Sequence, residues 1–210
     1  TFKDYTTLSG AAYDENGRSM ASMGIDAEDV DGDGLPELFT TNFALEFNNL
    51  YHNMGNGFFE DISAFCGLGP ESLPDVGWGT ALADMDNDGL PDVLVVNGHV
   101  DDNLAEVGRA EPYRQKPKVW RNRGNLRFQQ VSDRAGDYFA SAHVSRGAAF
   151  GDLDDDGRLD VVVCNLDEAP AVLMNQSNPD AGWVRFRLVG RSSNRDAIGA
   201  KVSVYAQGHL

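Results

Sequence analysis

Three nine-residue stretches concentrate the chemistry of this chain: Asp29-Val30-Asp31-Gly32-Asp33-Gly34-Leu35-Pro36-Glu37, Asp84-Met85-Asp86-Asn87-Asp88-Gly89-Leu90-Pro91-Asp92 and Asp152-Leu153-Asp154-Asp155-Asp156-Gly157-Arg158-Leu159-Asp160. In each, carboxylates at loop positions 1, 3, 5 and 9 surround a glycine at position 6, so a segment that must bend sharply carries four oxygen donors. Calcium takes six to eight oxygens at about 2.3–2.6 Å, and a tight loop can turn alternate side chains toward one point while position 7 offers its backbone carbonyl. The candidate ligands are therefore Asp29, Asp31, Asp33, Leu35 and Glu37 in the first loop, Asp84, Asp86, Asp88, Leu90 and Asp92 in the second, and Asp152, Asp154, Asp156, Arg158 and Asp160 in the third. A carbonyl donor leaves the side chain at position 7 free to vary, and Asp155 adds a further carboxylate to the third loop. Magnesium fits less well, because it prefers a small octahedron rich in water. The bland alternative is Asp-Gly turns with no metal, but three identical spacings would leave close carboxylates to repel one another.

Position 12 separates the loop families that share Asp-x-Asp-x-Asp-Gly. An EF-hand needs Glu there and a helix afterwards, whereas this chain has Thr40, Val95 and Val163 inside short apolar runs. The runs Leu38-Phe39-Thr40-Thr41, Val93-Leu94-Val95-Val96 and Val161-Val162-Val163-Cys164 are rich in β-branched residues and read as strands. Each loop is thus expected to join two strands. Calcium-wrapped thrombospondin-type repeats would need many cysteines, and there are two.

The strands must come from a repeat. Each loop has Gly five residues before its first Asp (Gly24, Gly79, Gly147) and Asn thirteen after it (Asn42, Asn97, Asn165). A further strand then ends in Asn: Leu50-Tyr51-His52-Asn53, Val119-Trp120-Arg121-Asn122 and Val172-Leu173-Met174-Asn175. A last strand begins at Phe59 or Phe128, each eight residues before a glycine, and Phe2 stands at the same distance from Gly10. About four short strands per copy, with spacings of 55 and 68 residues, signal an all-β protein of propeller blades and not a sandwich. Residues 1–10 are expected to be the last strand of a preceding blade, with strand 2–8. Repeats follow at 11–67, 68–136 and 137–178, an incomplete ring of three four-stranded antiparallel blades. The extra length of the second copy lies in residues 98–117, a long polar loop that is either a contact surface or a surface insertion. Residues 179–210 read as a β-hairpin module, with Trp183-Val184-Arg185-Phe186-Arg187-Leu188-Val189 and Lys201-Val202-Ser203-Val204-Tyr205 as its strands. Arg185 and Arg187 either grip a partner or form a solvated strand face.

Composition sets the outer limits. A chain of 210 residues that is 41% hydrophobic and 24% charged can bury a sizeable core. Its net charge of −16 argues against nucleic acid and against an anionic membrane surface, and no apolar run could span a bilayer. Three divalent ions would reduce that charge to −10, so much of the acidity is ligand. Cys66 and Cys164 lack any zinc-like spacing and read as separate thiols unless the fold brings them together. His52, His99, His143 and His209 are scattered and no Gly-x-Ser-x-Gly elbow occurs, so no catalytic role is expected. A hydrolase or lyase built on a carboxylate pair is the weaker alternative.

The three Asp-x-Asp-x-Asp-Gly units with their upstream Gly and downstream strand resemble FG-GAP/VCBS repeats, the blades of integrin-α-like propellers. Residues 183–190 with Ser193-Asn194-Arg195-Asp196-Ala197-Ile198-Gly199-Ala200 resemble the start of an ASPIC/UnbV module, as in the cartilage-acidic-protein-like family. The resemblance implies a calcium-stabilised propeller that serves adhesion or recognition in an extracellular or periplasmic setting. About three calcium sites are expected, and the partner is another protein or the remaining blades of a larger chain. An accessory subunit of a larger, membrane-attached assembly is the alternative. Loops without a bidentate Glu at position 12 suit the millimolar calcium found outside cells.

Overall fold

The structure, a computed structural model, describes residues 1–177, 183–200 and 202–204. Three antiparallel sheets follow one another along the chain. The first contains β1 (Gly24–Glu28), β2 (Glu37–Thr41), β3 (Asn49–Asn53) and β4 (Phe59–Asp61) in sequence order. The second contains β5 (Gly77–Ala83), β6 (Asp92–Asn97), β7 (Lys118–Asn122) and β8 (Phe128–Gln130), again in order. The third has β9 (Ser145–Gly151), β10 (Asp160–Asn165) and β11 (Ala171–Leu173), one strand fewer than the repeat predicts. Short helices α1 (Thr6–Ser9), α2 (Ser63–Cys66), α3 (Gly69–Ser72) and α4 (Asp137–Ala140) decorate the connections.

The apolar runs after the loops are continuous because the middle sheet is covered on both faces. Val93 and Val95 of β6 face the first sheet, where Phe39, Leu50, Trp120 and Phe128 complete a core. Leu94 and Val96 face the third, against Val161 and Val163. All six residues of β6 are buried, so no wet face imposes alternation. On β10, by contrast, Cys164 is exposed and Cys66 is buried in the first core, so the two thiols remain separate and free.

Adjacent sheets meet through backbone as well as side chains. Gly24 lies against the carbonyl of Trp78, and Gly79 against Gly147 and Ala148, so that a methyl group at either glycine would collide with the neighbouring first strand. The amide of Asn122 reaches across to the carbonyl of Val30 at 2.9 Å, and that of Asn175 to the carbonyl of Met85 at 2.7 Å. The repeated Gly and Asn noted in the sequence therefore hold one sheet to the next.

Two expected strands are not formed. Residues 2–8 pair with no strand among the described residues; Thr6–Ser9 is a helical turn instead. Asp4 Oδ1 accepts the N–H of Thr6 at 2.9 Å, a local bond that turns the chain where a strand would need a neighbour to satisfy it. Residues 183–189 are likewise outside any strand, with Val184, Phe186 and Val189 at least half exposed; alternation alone does not make a sheet. Most of the polar linker or turn expected at residues 176–182, from 178 on, and the Lys201 and Tyr205 ends of the second expected hairpin strand lie outside the described residues. Residues 98–117 do not form a plain surface loop. His99 and Leu104 are buried, and Gln115 pairs with His143 in an isolated bridge while its side chain accepts the N–H of Val76.

Gly67 tests the contact between sheets. At φ +95° it packs under the carbonyl of Phe128, and an added Cβ would overlap that oxygen. Gly124, at φ +74°, has open space around it. In urea unfolding, Gly124→Ala is expected to lose about 1–2 kcal/mol for the left-handed backbone alone. Gly67→Ala should lose a further 1–3 kcal/mol or so from the clash. Equal losses would show that the contact contributes nothing.

Candidate metal centres

Each aspartate loop joins the first strand of a sheet to the second, and its path depends on two left-handed residues. Position 6 is Gly34, Gly89 or Gly157, and position 4 is Gly32, Asn87 or Asp155, all with φ between 54° and 91°. Gly, Asn and Asp are the residues that reach this conformation most readily, so position 4 was legible in the sequence as a turn position. Asp155 is accounted for in this way. Its side chain is 83% exposed and lies outside the carboxylate cluster, which corrects the expectation that it reinforces the third site.

The carboxylates hold the loop together as well as pointing into it. Asp29, Asp84 and Asp152, at position 1, each accept two or three backbone N–H groups from positions 4 to 6 at 2.8–3.1 Å. Asp33, Asp88 and Asp156 accept the N–H of position 7, which places Leu35, Leu90 and Arg158 on the loop's return, at 2.7–3.0 Å. Position 9 is the anchor. Glu37, Asp92 and Asp160 are almost fully buried. One oxygen of each accepts the N–H of position 2, and the other accepts the N–H of Asn53, Asn122 or Asn175 on the third-strand side.

The side chains converge in three places. Oxygens of Asp84, Asp86 and Asp92 lie within 4.8 Å of one another, as do those of Asp152, Asp154 and Asp160. In the first loop Asp29, Asp31 and Asp33 gather, and Asp31 and Glu37 also gather with His52. Asp88 and Asp156 stand outside these groups, and basic side chains engage them as well as some cluster members. Arg121 forms ion pairs with Asp86 and Asp88 at 2.8 Å and donates a hydrogen bond to Asp88, and Arg158 pairs with Asp156. Arg185 reaches back to Asp152 and Asp155. His52 Nδ1 sits 3.1 Å from Glu37 and 3.8 Å from Asp31.

Reading ligand spacing alone misses these basic side chains. Their signal was present at one position: His52 and Arg121 both directly precede the Asn that closes the third strand, and from there the side chain reaches its own sheet's loop. Met174 holds that position in the third copy, where Arg185, from far along the chain, takes the basic role.

The balance of charge is incomplete in the second loop. Asp86 Oδ1 is buried with no hydrogen-bond partner among the described residues, an orphaned oxygen on a member of an all-oxygen cluster. Burial pushes the Asp92 carboxyl up to about 7, and the charges of Asp86 and Asp88 add to the shift while two backbone N–H groups oppose it. Asp86 is also raised, first by burial and then by Asp88. An acidic group held this way favours a cation in the cluster.

The FG-GAP-like repeat pattern matches residues 29–95 and 101–163, more than half of the chain. This chain belongs to the FG-GAP-like repeat family. The first matched stretch opens on Asp29 and runs through the second loop into β6, and the second stretch ends in β10 just beyond the third loop. The FG-GAP-like match therefore takes in all three carboxylate clusters. No curated protein matches the chain. No helix among the described residues is long and apolar enough to cross a membrane.

In chelated, calcium-free protein the raised Asp92 has a definite effect. Because its folded pKa lies above the usual 3.8, the unfolded chain releases the proton first as pH rises. Stability is then lost between about pH 4 and 7, by up to a few kcal/mol. Asp92→Asn should flatten that part of a urea-stability profile against pH; an unchanged slope would show that Asp92 titrates normally.

Proposed function

We propose that this protein is a calcium-stabilised, propeller-like scaffold for protein recognition or adhesion outside the cytoplasm. The observation that carries the reading is the repeated convergence of oxygen ligands in all three loops, with the orphaned Asp86 oxygen as a donor in want of a cation. The donor set fits calcium. Carboxylates from positions 1, 3, 5 and 9 and the carbonyl of position 7 would hold it, supplied by Asp29, Asp31, Asp33, Leu35 and Glu37 in the first loop and their counterparts in the other two. Among the described residues no thiolate joins the clusters and imidazole joins only that of the first loop, which disfavours zinc.

An ion would supply no reaction step here; its role is to neutralise carboxylates that the fold has packed together. Arg121 and Arg185 serve as tethered substitutes, and their guanidinium groups would be released as calcium binds. The reading is non-enzymatic, since the loop carboxylates are already engaged by backbone N–H groups and cations. The likeness of residues 183–200 to the start of an ASPIC/UnbV module supports placing the chain near the cartilage-acidic-protein-like proteins, and with them an extracellular or periplasmic setting.

Thermal unfolding in calcium, in magnesium and in chelator tests the reading. At a calcium concentration a hundredfold above the dissociation constant, binding to the folded state alone contributes about 2.7 kcal/mol per site. For a chain of this size that is a rise in Tm of roughly 5–10 °C. Asp84→Ala should remove one bound ion by calorimetry and shrink the shift. Identical melting in calcium and chelator would overturn the metal assignment.

A further inference from the structure

The third loop differs from the other two in what lies on it. At position 6, Gly34 and Gly89 have no neighbour within 4 Å among the described residues, whereas the Trp183 indole packs so closely on Gly157 that a methyl group there would overlap the ring. At position 1, Asp29 and Asp84 meet no basic side chain among the described residues, while Asp152 pairs with Arg185. At position 4, Gly32 and Asn87 are uncharged, and Asp155 offers its carboxylate to the same guanidinium. That position demands only a residue that tolerates the left-handed backbone, so the turn does not require the charge of Asp155.

Residues 183–186 wall a crevice of about 640 Å³ that is shared with Asp84 and Asn87 of the second loop and Asp152 and Gly157 of the third. The Asn87 amide donates to the Gly157 carbonyl at 3.1 Å, so the two loops form one floor. The Arg185 guanidinium lies 5.7 Å from the centre of the Trp183 ring, where ring and charge attract each other. Indole and guanidinium are thus seated as a unit. Calcium at the third loop needs the Asp152 carboxylate at position 1. Arg185 bonds Oδ2 of that carboxylate, the atom that also accepts the N–H of Gly157 at 3.0 Å. A guanidinium and a divalent ion on one carboxylate repel each other. Asp155, outside the cluster and 83% exposed, can hold the guanidinium without serving the ion.

We propose, resting on the calcium reading above, that residues 183–186 are a latch on the third loop with Asp155 as its catch, and that the seated latch and a calcium ion at that loop exclude one another. Occupancy of the third site then decides whether the chain around Trp183 is fastened to the sheets or released. The first and second loops carry no such latch among the described residues and bind without this competition. Linkage makes the effect reciprocal: the factor by which the latch weakens calcium binding is the factor by which calcium weakens the latch.

The test uses the 210-residue chain and two readouts. Asp155→Asn places at position 4 the residue that the second loop already carries and leaves every clustered carboxylate in place. In calorimetry with calcium it is expected to tighten one binding step about threefold, the scale of an exposed ion pair, with the other steps unchanged. A nitroxide on Val184→Cys in a Cys164→Ser background, where the remaining Cys66 is buried, should be immobile in chelator and mobile in calcium. Adding Asp155→Asn should make it mobile in chelator too. A label whose mobility calcium does not alter, while Asp154→Ala removes one of the ions that calorimetry counts, would overturn the latch and leave the calcium reading standing. So would an Asp155→Asn variant whose binding steps all match those of the original chain. Calorimetry that detects no bound calcium in any variant would overturn the calcium reading and this exclusion with it.

Discussion

The buried carboxylate at position 9 is the constraint on which the rest depends. Glu37, Asp92 and Asp160 are nearly inaccessible, and each spends one oxygen on the start of its loop and the other on the third-strand side of its sheet. A buried ionised carboxylate is costly unless it is well bonded. Two backbone N–H groups supply part of that stabilisation, and the cluster of acidic neighbours works against it. The loop therefore stands close to electrostatic frustration without a cation. Arg121, Arg158, Arg185 and His52 relieve it from outside, each at a different point.

The same hydrogen bonds tie the loops to the stacking of sheets. Asn122 gives its backbone N–H to Asp92 in its own sheet and its side-chain amide to Val30 in the loop of the sheet before. Asn175 repeats the arrangement between Asp160 and Met85. Whatever orders a loop thus also orders the contact to the next sheet, and neighbouring units gain stability from one another as in other repeat proteins. Asn53 makes only the local part of this pattern, to Pro36 and Glu37, because no sheet precedes it among the described residues.

Close approach of the first strands adds a second demand. Gly24 and Gly79 leave no space for a side chain, so the sheets meet backbone to backbone at their first strands. Large residues fill the cores elsewhere between them: Trp120 and Phe128 between the first two sheets, and Phe139 with Val119 between the second and third. The groove between the second and third sheets lies beside β11, where no fourth strand pairs among the described residues.

How much of this the sequence itself determined can be stated residue by residue. The three-fold spacing of Asp, Gly and Asn, together with the β-branched runs, placed eight of the strands within a residue or two and marked every carboxylate that later gathers in a cluster, because a local turn and its flanking strands are encoded by neighbours in the chain. The glycines at positions 24 and 79 and the asparagines at 122 and 175 were visible as repeats, but their work is done across sheets, which no local pattern reports. Three outcomes were decided only by tertiary structure. Residues 2–4 carry a strand sequence and pair with nothing in their own described chain, since a strand exists only with a neighbour to accept its hydrogen bonds. Asp88 is paired by Arg121, 33 residues further along the chain. Asp92 acquired its raised pKa from burial between strands that lie apart in sequence. Local chemistry specified the loops; only the packing of one sheet on another settled which of their charges would be paired, buried or left wanting a partner.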